Sequence, residues 1–188
     1  MGVNYIFIGF MGCGKTTFGK KISRKIGYKF VDTDRYIEHR QNMSITNIFE
    51  KYGESYFRGL EEEICREFSK AQDMVIATGG GIIKNEKNIE NLKKNGVIIY
   101  LKATPEHIFS NIGNDTTRPL LQTDDKMGKI RSLLEERKEL YEKYADITID
   151  VSGGNITNIT NSNSINISRL TDKMDEISYI YKILNGEI

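Results

Sequence analysis

Five short apolar runs alternate with amphipathic stretches along this chain. The runs cover residues 3–8, 29–31, 74–78, 97–101 and 147–151; they are rich in β-branched or aromatic residues and lack the strict alternation of a sheet with one wet face. That pattern predicts five strands covered on both sides. Between them, residues 15–26, 35–41, 45–52, 56–69, 86–94, 105–112 and 126–144 carry apolar positions at helical spacing, with Thr104 before Pro105 as N-cap and first-turn residue. Strand and helix in alternation predict a three-layer α/β/α fold around a five-stranded parallel sheet. In such a sheet, ligands sit beyond the carboxyl ends of the strands.

The last part of the chain breaks the alternation. Residues 152–168, SGGNITNITNSNSINIS, are Asn-, Ser- and Gly-rich and uncharged, and are expected to form a flexible loop before a final helix at 169–184. Too little chain follows the loop for a second domain, and 188 residues correspond to about one domain, so residues 1–188 are read as one.

Composition narrows the partners. With 27 basic and 26 acidic residues the formal net charge is +1, which lacks the electrostatic footprint of a nucleic-acid binder. Cys13 and Cys65 are the only cysteines and match neither a disulfide framework nor a metal-ligand spacing. No apolar run approaches the roughly 18 residues that span a bilayer, and the first strand begins without a basic or Ser-rich leader. A cytoplasmic chain without membrane or nucleic-acid partners is expected, working as a monomer.

Candidate chemistry begins at GFMGCGKTTFG, residues 9–19. Gly9-x4-Gly14-Lys15-Thr16 between a strand and a helix has the form of a phosphate-cradling loop, whose glycines let backbone N–H groups turn onto phosphate oxygens. Lys15 reaches the β- and γ-phosphates, Thr16 offers a hydroxyl to Mg²⁺, and the helix dipole favours the anion. The nucleotide site is read as Gly12, Cys13, Gly14, Lys15, Thr16 and Thr17. No Asn-Lys-x-Asp guanine signature occurs in the chain.

Further motifs carry two readings each. In VDTD, Asp32 and Asp34 lie at the end of the second strand; one carboxylate can serve Mg²⁺ and the other a substrate, or either can cap the following helix. In FRGLEEE, Arg58 and Glu61 share a helical face, either as an ordinary surface ion pair or as a guanidinium fork held ready for a carboxylate. Gly79, Gly80 and Gly81 end the third strand, where a ligand approaching the backbone explains three glycines better than a tight exit does. Residues 114–125, NDTTRPLLQTDD, carry Arg118 and suit either a lid over phosphates or a solvated loop. EERKELYEKYAD places Arg137 and Tyr141 one turn apart on a helix that reads, by itself, as a solvated face.

Taken in order, GxxGxGKT, DTD, FRxxE, GGG, RPLL and ERxxLY resemble the shikimate kinase family, small P-loop enzymes of the nucleoside-monophosphate-kinase-like class, over about residues 3–151. The resemblance implies a substrate-binding segment at 33–61 and a lid at 113–125. It implies that the carboxylate of shikimate is gripped by Arg58 and Arg137, that its hydroxyls meet Asp34 and the backbone of the Gly79–Gly81 turn, and that Phe49 and Phe57 wall the ring. Lys15 and Arg118 would brace the phosphoryl group transferred from ATP. Asp34 would orient the attacking hydroxyl and accept its proton, and Mg²⁺ would lie between Thr16, the ATP phosphates and, through water, Asp32. The implied reaction yields shikimate 3-phosphate on the route to chorismate and aromatic amino acids. A gluconate kinase of the same superfamily and a catalytically idle nucleotide-binding module are the rival readings. Three departures stand out: Cys13, where relatives usually carry Ser or Ala, is expected to make the site thiol-sensitive; Asn111 replaces an arginine that stacks on adenine in several relatives; and the Asn-rich loop is long.

Overall fold

The structure is a computed structural model that describes residues 2–113, 121, 123–152 and 182. Its five strands are β1 (Asn4–Ile8), β2 (Lys29–Asp32), β3 (Met74–Ala77), β4 (Gly96–Lys102) and β5 (Ile147–Asp150). All pair in parallel, in the order β2-β3-β1-β4-β5. Among the described residues, six helices pack around the sheet: α1 (Lys15–Ile26), α2 (Thr33–Gln41), α3 (Ile45–Phe68), α4 (Glu86–Lys93), α5 (Pro105–Ile112) and α6 (Lys126–Tyr144).

Period-two geometry explains why the strands read as continuous apolar runs. Tyr5 and Phe7 of β1 point into one core with Val75, Ile99 and Leu101; Ile6 and Ile8 point into the other with Ile76, Ile98 and Tyr100. The first core packs against Ile22 of α1 and Ile108 of α5, and the second against Ile48 and Ile64 of α3 and Ile89 of α4. Helix α6 serves both, giving Ile130 and Leu133 to the first core and Tyr141 and Tyr144 to the second.

Local chemistry sets the element ends. Gly27, at φ 75°, stops α1 in the left-handed conformation, and Thr104 caps α5 through the backbone N–H of His107 at 3.2 Å, as the Thr-Pro pair predicts. Helix α2 begins at Thr33, two residues before the sequence-based expectation, because Asp32 accepts the Arg35 N–H at 3.3 Å and caps the turn. The expected helices 45–52 and 56–69 join into α3, kinked at Gly53, whose φ of 80° and ψ of 170° are not helical. A 3-10 turn at Ile82–Lys84, not foreseen, carries the chain from the triple glycine towards α4. The Asn-rich segment beyond residue 152, the helix expected at 169–184 and most of the proposed lid lie outside the described residues.

Parallel pairing in this order assembles the site. Strand β1 lies between β3 and β4, while β2 is beside β3 with Asp32 level with Ala77. The turns that leave β1, β2 and β3 therefore emerge side by side at one sheet edge.

Candidate active site

At the exit of β1, the loop backbone takes positive φ at Gly12 (80°) and Gly14 (98°). This turns the chain sharply into α1, whose first residue is Lys15. Lys15 is nearly buried, and its ammonium donates to the carbonyls of Gly9 at 2.7 Å and Phe10 at 2.8 Å. It thus braces its own loop. Thr16 donates its hydroxyl to Asp32 Oδ2 at 2.7 Å, so two oxygens suited to a hard cation stand together beside the loop. Thr17 is exposed on α1, beside Lys20, Lys21 and Arg24.

Cys13 departs from the expectation of a reactive thiol. Its side chain is fully buried, and the sulfur lies so close beneath Gly9 that a β-carbon there would come within 2.8 Å of it. It is a small core residue under the loop. Asn111 donates from its side-chain amide to the Gly12 carbonyl at 2.9 Å, tying the end of α5 to the loop.

The triple glycine is the meeting point of the second half of the site. A β-carbon at Gly79 would lie 2.5 Å from Asp34 Oδ1, and one at Gly81 would lie 2.7 Å from Arg58 Nη1. A side chain at either position would displace Asp34 or Arg58. The Gly79 N–H donates to Thr33 Oγ1 at 2.8 Å, which holds the start of α2 against this turn. The Gly80 carbonyl accepts from Tyr141 Oη at 2.6 Å and from Arg137 Nη1 at 3.5 Å.

Arg58 is clamped on both sides. Its Nη1 donates to Glu61 Oε2 at 2.6 Å, while Nη2 and Nε donate to Glu54 Oε1 at 2.7 and 3.1 Å. Glu61 is 1% exposed, which rules out the ordinary surface pair that its spacing alone allowed. Burial pushes its carboxyl up to about 7, opposed by the Arg58 guanidinium. The aromatic rings of Phe49 and Phe57 lie 4.9 Å apart, and the Arg58 guanidinium lies over Phe57 at 5.3 Å.

Arg137 corrects the reading of α6 as a solvated face. It is 3% exposed, its guanidinium lies over the Phe10 ring at 5.7 Å, and Tyr141 beside it is wholly buried. Arg137 Nε is buried and has no hydrogen-bond partner among the described residues. A cation held dry with an unused donor is what a carboxylate ligand requires. Among the predicted site residues, Arg118 lies outside the described residues. Asp34, Arg58 and Arg137 lie together around Gly79, Gly80 and Gly81, and Asp32 stands beside Thr16.

Three supporting residues escaped the sequence reading. Glu54 stands four residues before Arg58, a helical ion-pair spacing that the adjacent Arg58–Glu61 pair overshadowed. Thr33, between two carboxylates, gave no signal of its contact with Gly79. The role of Tyr141 was hidden by the charges around it.

A P-loop on a parallel sheet of this order, opposite a pocket of fixed cations, defines a P-loop kinase. The family model described as shikimate kinase matches residues 11–166, and the chain belongs to the shikimate kinase family. It is 49% identical over 156 residues to the shikimate kinase of Caldanaerobacter subterraneus subsp. tengcongensis, covering 83% of this chain and 91% of that protein. It is 50% identical over 149 residues to that of Thermoanaerobacter pseudethanolicus, covering 79% and 86%. Among solved structures it resembles the shikimate kinase of Acinetobacter baumannii in complex with shikimate, with a TM-score of 0.78, 33% identity and 95% of each chain covered. These likenesses favour a shikimate kinase over the gluconate-kinase and idle-module readings.

Proposed function

We propose that this enzyme transfers the γ-phosphoryl group of ATP to the 3-hydroxyl of shikimate, giving shikimate 3-phosphate and ADP. The observation that carries this assignment within the site is the triple glycine, which places the Asp34 carboxylate, the Arg58 guanidinium and the Gly80 carbonyl bound by Arg137 on three successive residues. A ligand with a carboxylate at one end and a hydroxyl at the other fits that spacing of charge. Arg58 and Arg137 grip the carboxylate, and their planar forks suit it better than a lysine would. Phe49 and Phe57 wall the ring, and Asp34 orients the attacking hydroxyl and takes its proton.

On the donor side, the N–H groups of Gly12 to Thr17 receive the phosphates. Lys15 exchanges its bonds to the Gly9 and Phe10 carbonyls for phosphate oxygens, and Arg118 adds a second cation as residues 113–125 close. Transfer through a loose transition state requires position and charge neutralisation more than covalent help. Thr16 and Asp32, already 2.7 Å apart, fit Mg²⁺, with Thr16 as direct ligand and Asp32 through water. Bound there with ATP, the metal ion would neutralise charge on the β- and γ-phosphates. We also read the enzyme as a cytoplasmic monomer and as one without a nucleic-acid partner, the last supported by its near-neutral charge.

A coupled ADP-release assay tests the assignment. ADP should form with shikimate and Mg-ATP and not with gluconate or without acceptor. Equal release with gluconate would refute it.

A further inference from the structure

Gly80 lies between the two halves of the site. A β-carbon there would come within 3.4 Å of the Met11 nitrogen and 3.6 Å of the Gly9 carbonyl, so one side of the residue packs on the phosphate loop. Its carbonyl faces α6 and receives the Tyr141 hydroxyl at 2.6 Å. The Tyr141 ring is stacked on Tyr100 of β4, with centroids 5.0 Å apart and planes at 16°, and both rings are buried. A tyrosine has only two side-chain torsions before its hydroxyl, and this packing fixes both. The hydroxyl is therefore anchored to the central sheet rather than to a mobile surface.

From this geometry we infer that Tyr141 is a positioning residue for the acceptor, holding the Gly80–Gly81 peptide in the one orientation that receives shikimate. The carbonyl of Gly80 and the N–H of Gly81 are antiparallel across a planar trans peptide. Drawing the carbonyl towards Tyr141 turns that N–H to the opposite side. The same hydroxyl shares its acceptor with Arg137, one helical turn earlier, so one carbonyl links the backbone donor to the carboxylate-binding cation, with the shorter bond coming from Tyr141. Without it, the peptide plane is free to rotate and the Arg137 guanidinium loses its reference point.

The inference rests on shikimate being the acceptor bound at Gly80, and the test separates the two. Tyr141→Phe keeps the ring and its stack and deletes only the hydroxyl. Tyr100→Phe deletes a hydroxyl from the same stacked pair without touching Gly80. Steady-state KM values for each substrate are measured with all three proteins, together with the rise in Tm that shikimate produces, a readout that still reports binding if a variant is less stable. Tyr141→Phe should raise the KM for shikimate about 5- to 10-fold, as expected for one lost hydrogen bond, and shift the Tm titration to correspondingly higher shikimate. The KM for ATP should stay within about twofold, and Tyr100→Phe should match the wild type. An unchanged shikimate KM in Tyr141→Phe, or equal loss for both substrates, overturns the positioning role. A wild type that shikimate neither stabilises nor turns into a source of ADP overturns the substrate assignment, and this inference with it.

Discussion

The donor and acceptor halves of the site are built by different means. The phosphate loop is backbone: a strand, a turn with positive φ at Gly12 and Gly14, and a helix start, all within one short stretch of chain. The acceptor pocket is side chain, collected from α2, α3, the turn after β3 and α6, with Arg58 held by Glu54 and Glu61 and Arg137 by the Gly80 carbonyl. A backbone cradle serves any nucleotide triphosphate, whereas a set of fixed charges from separate elements distinguishes one small acid from another. Specificity for the acceptor therefore resides where the chain had to bring distant residues together.

Substitutions that touch only one half sharpen this contrast, and the largest effect is expected at the reacting hydroxyl. Asp34→Asn, nearly isosteric but unable to accept the proton, should lower kcat by about 10²-fold or more while the KM for ATP holds. Near-normal kcat would place the proton acceptor elsewhere. Next, Arg137→Ala removes one of two cations from the acceptor carboxylate, and a lost charged hydrogen bond costs about 1.5–3 kcal/mol. The KM for shikimate should rise by roughly 10- to 150-fold, again without change for ATP. If the ATP constant rises in parallel, the two halves are not separable in the way the geometry implies.

A smaller effect follows from Glu61. Its folded carboxyl titrates near 7, above its ordinary value of 4.5, because burial disfavours the charge, with Asp34 and Glu54 adding to the rise and Arg58 opposing it. The folded state thus binds the proton more tightly than the unfolded state. The resulting contribution to stability is full below about pH 4.5 and is lost as pH rises towards 7. Relative to Glu61→Gln, the wild-type Tm should fall across that window, as thermal unfolding at a series of pH values will show. A flat difference would mean that Arg58 keeps Glu61 ionised throughout. The least effect is expected at Glu54, whose side chain is largely exposed: Glu54→Gln should change the KM for shikimate by less than about threefold, since exposed pairs contribute little.

The same contrast explains what the sequence revealed. The five strands, the loop and its lysine follow from local patterns, because apolar runs, glycine spacing and a helix start are properties of neighbouring residues; the strand order does not. Arg58 and Arg137 could be named from the order of motifs, but their burial could not. The helix that carries Arg137 has charged residues on every side in EERKELYEKY, so no apolar face marks Arg137 and Tyr141 as buried. The merging of two expected helices at Gly53 was equally hidden, since a glycine between helical stretches reads as a loop whether or not the chain resumes its helix at once.

Helix α6 also bears on how the active enzyme is assembled. Lys15 meets the Gly9 carbonyl across six residues of chain, but Tyr141 meets the Gly80 carbonyl across 61. Closing the longer loop costs roughly 2 kcal/mol more in chain entropy, and that cost must be met before the acceptor pocket exists. The acceptor pocket thus depends on long-range folding in a way that the phosphate loop does not. Because α6 also fills both cores with Ile130, Leu133, Tyr141 and Tyr144, recognition of the acid should be lost only as the sheet itself melts, in the same cooperative transition.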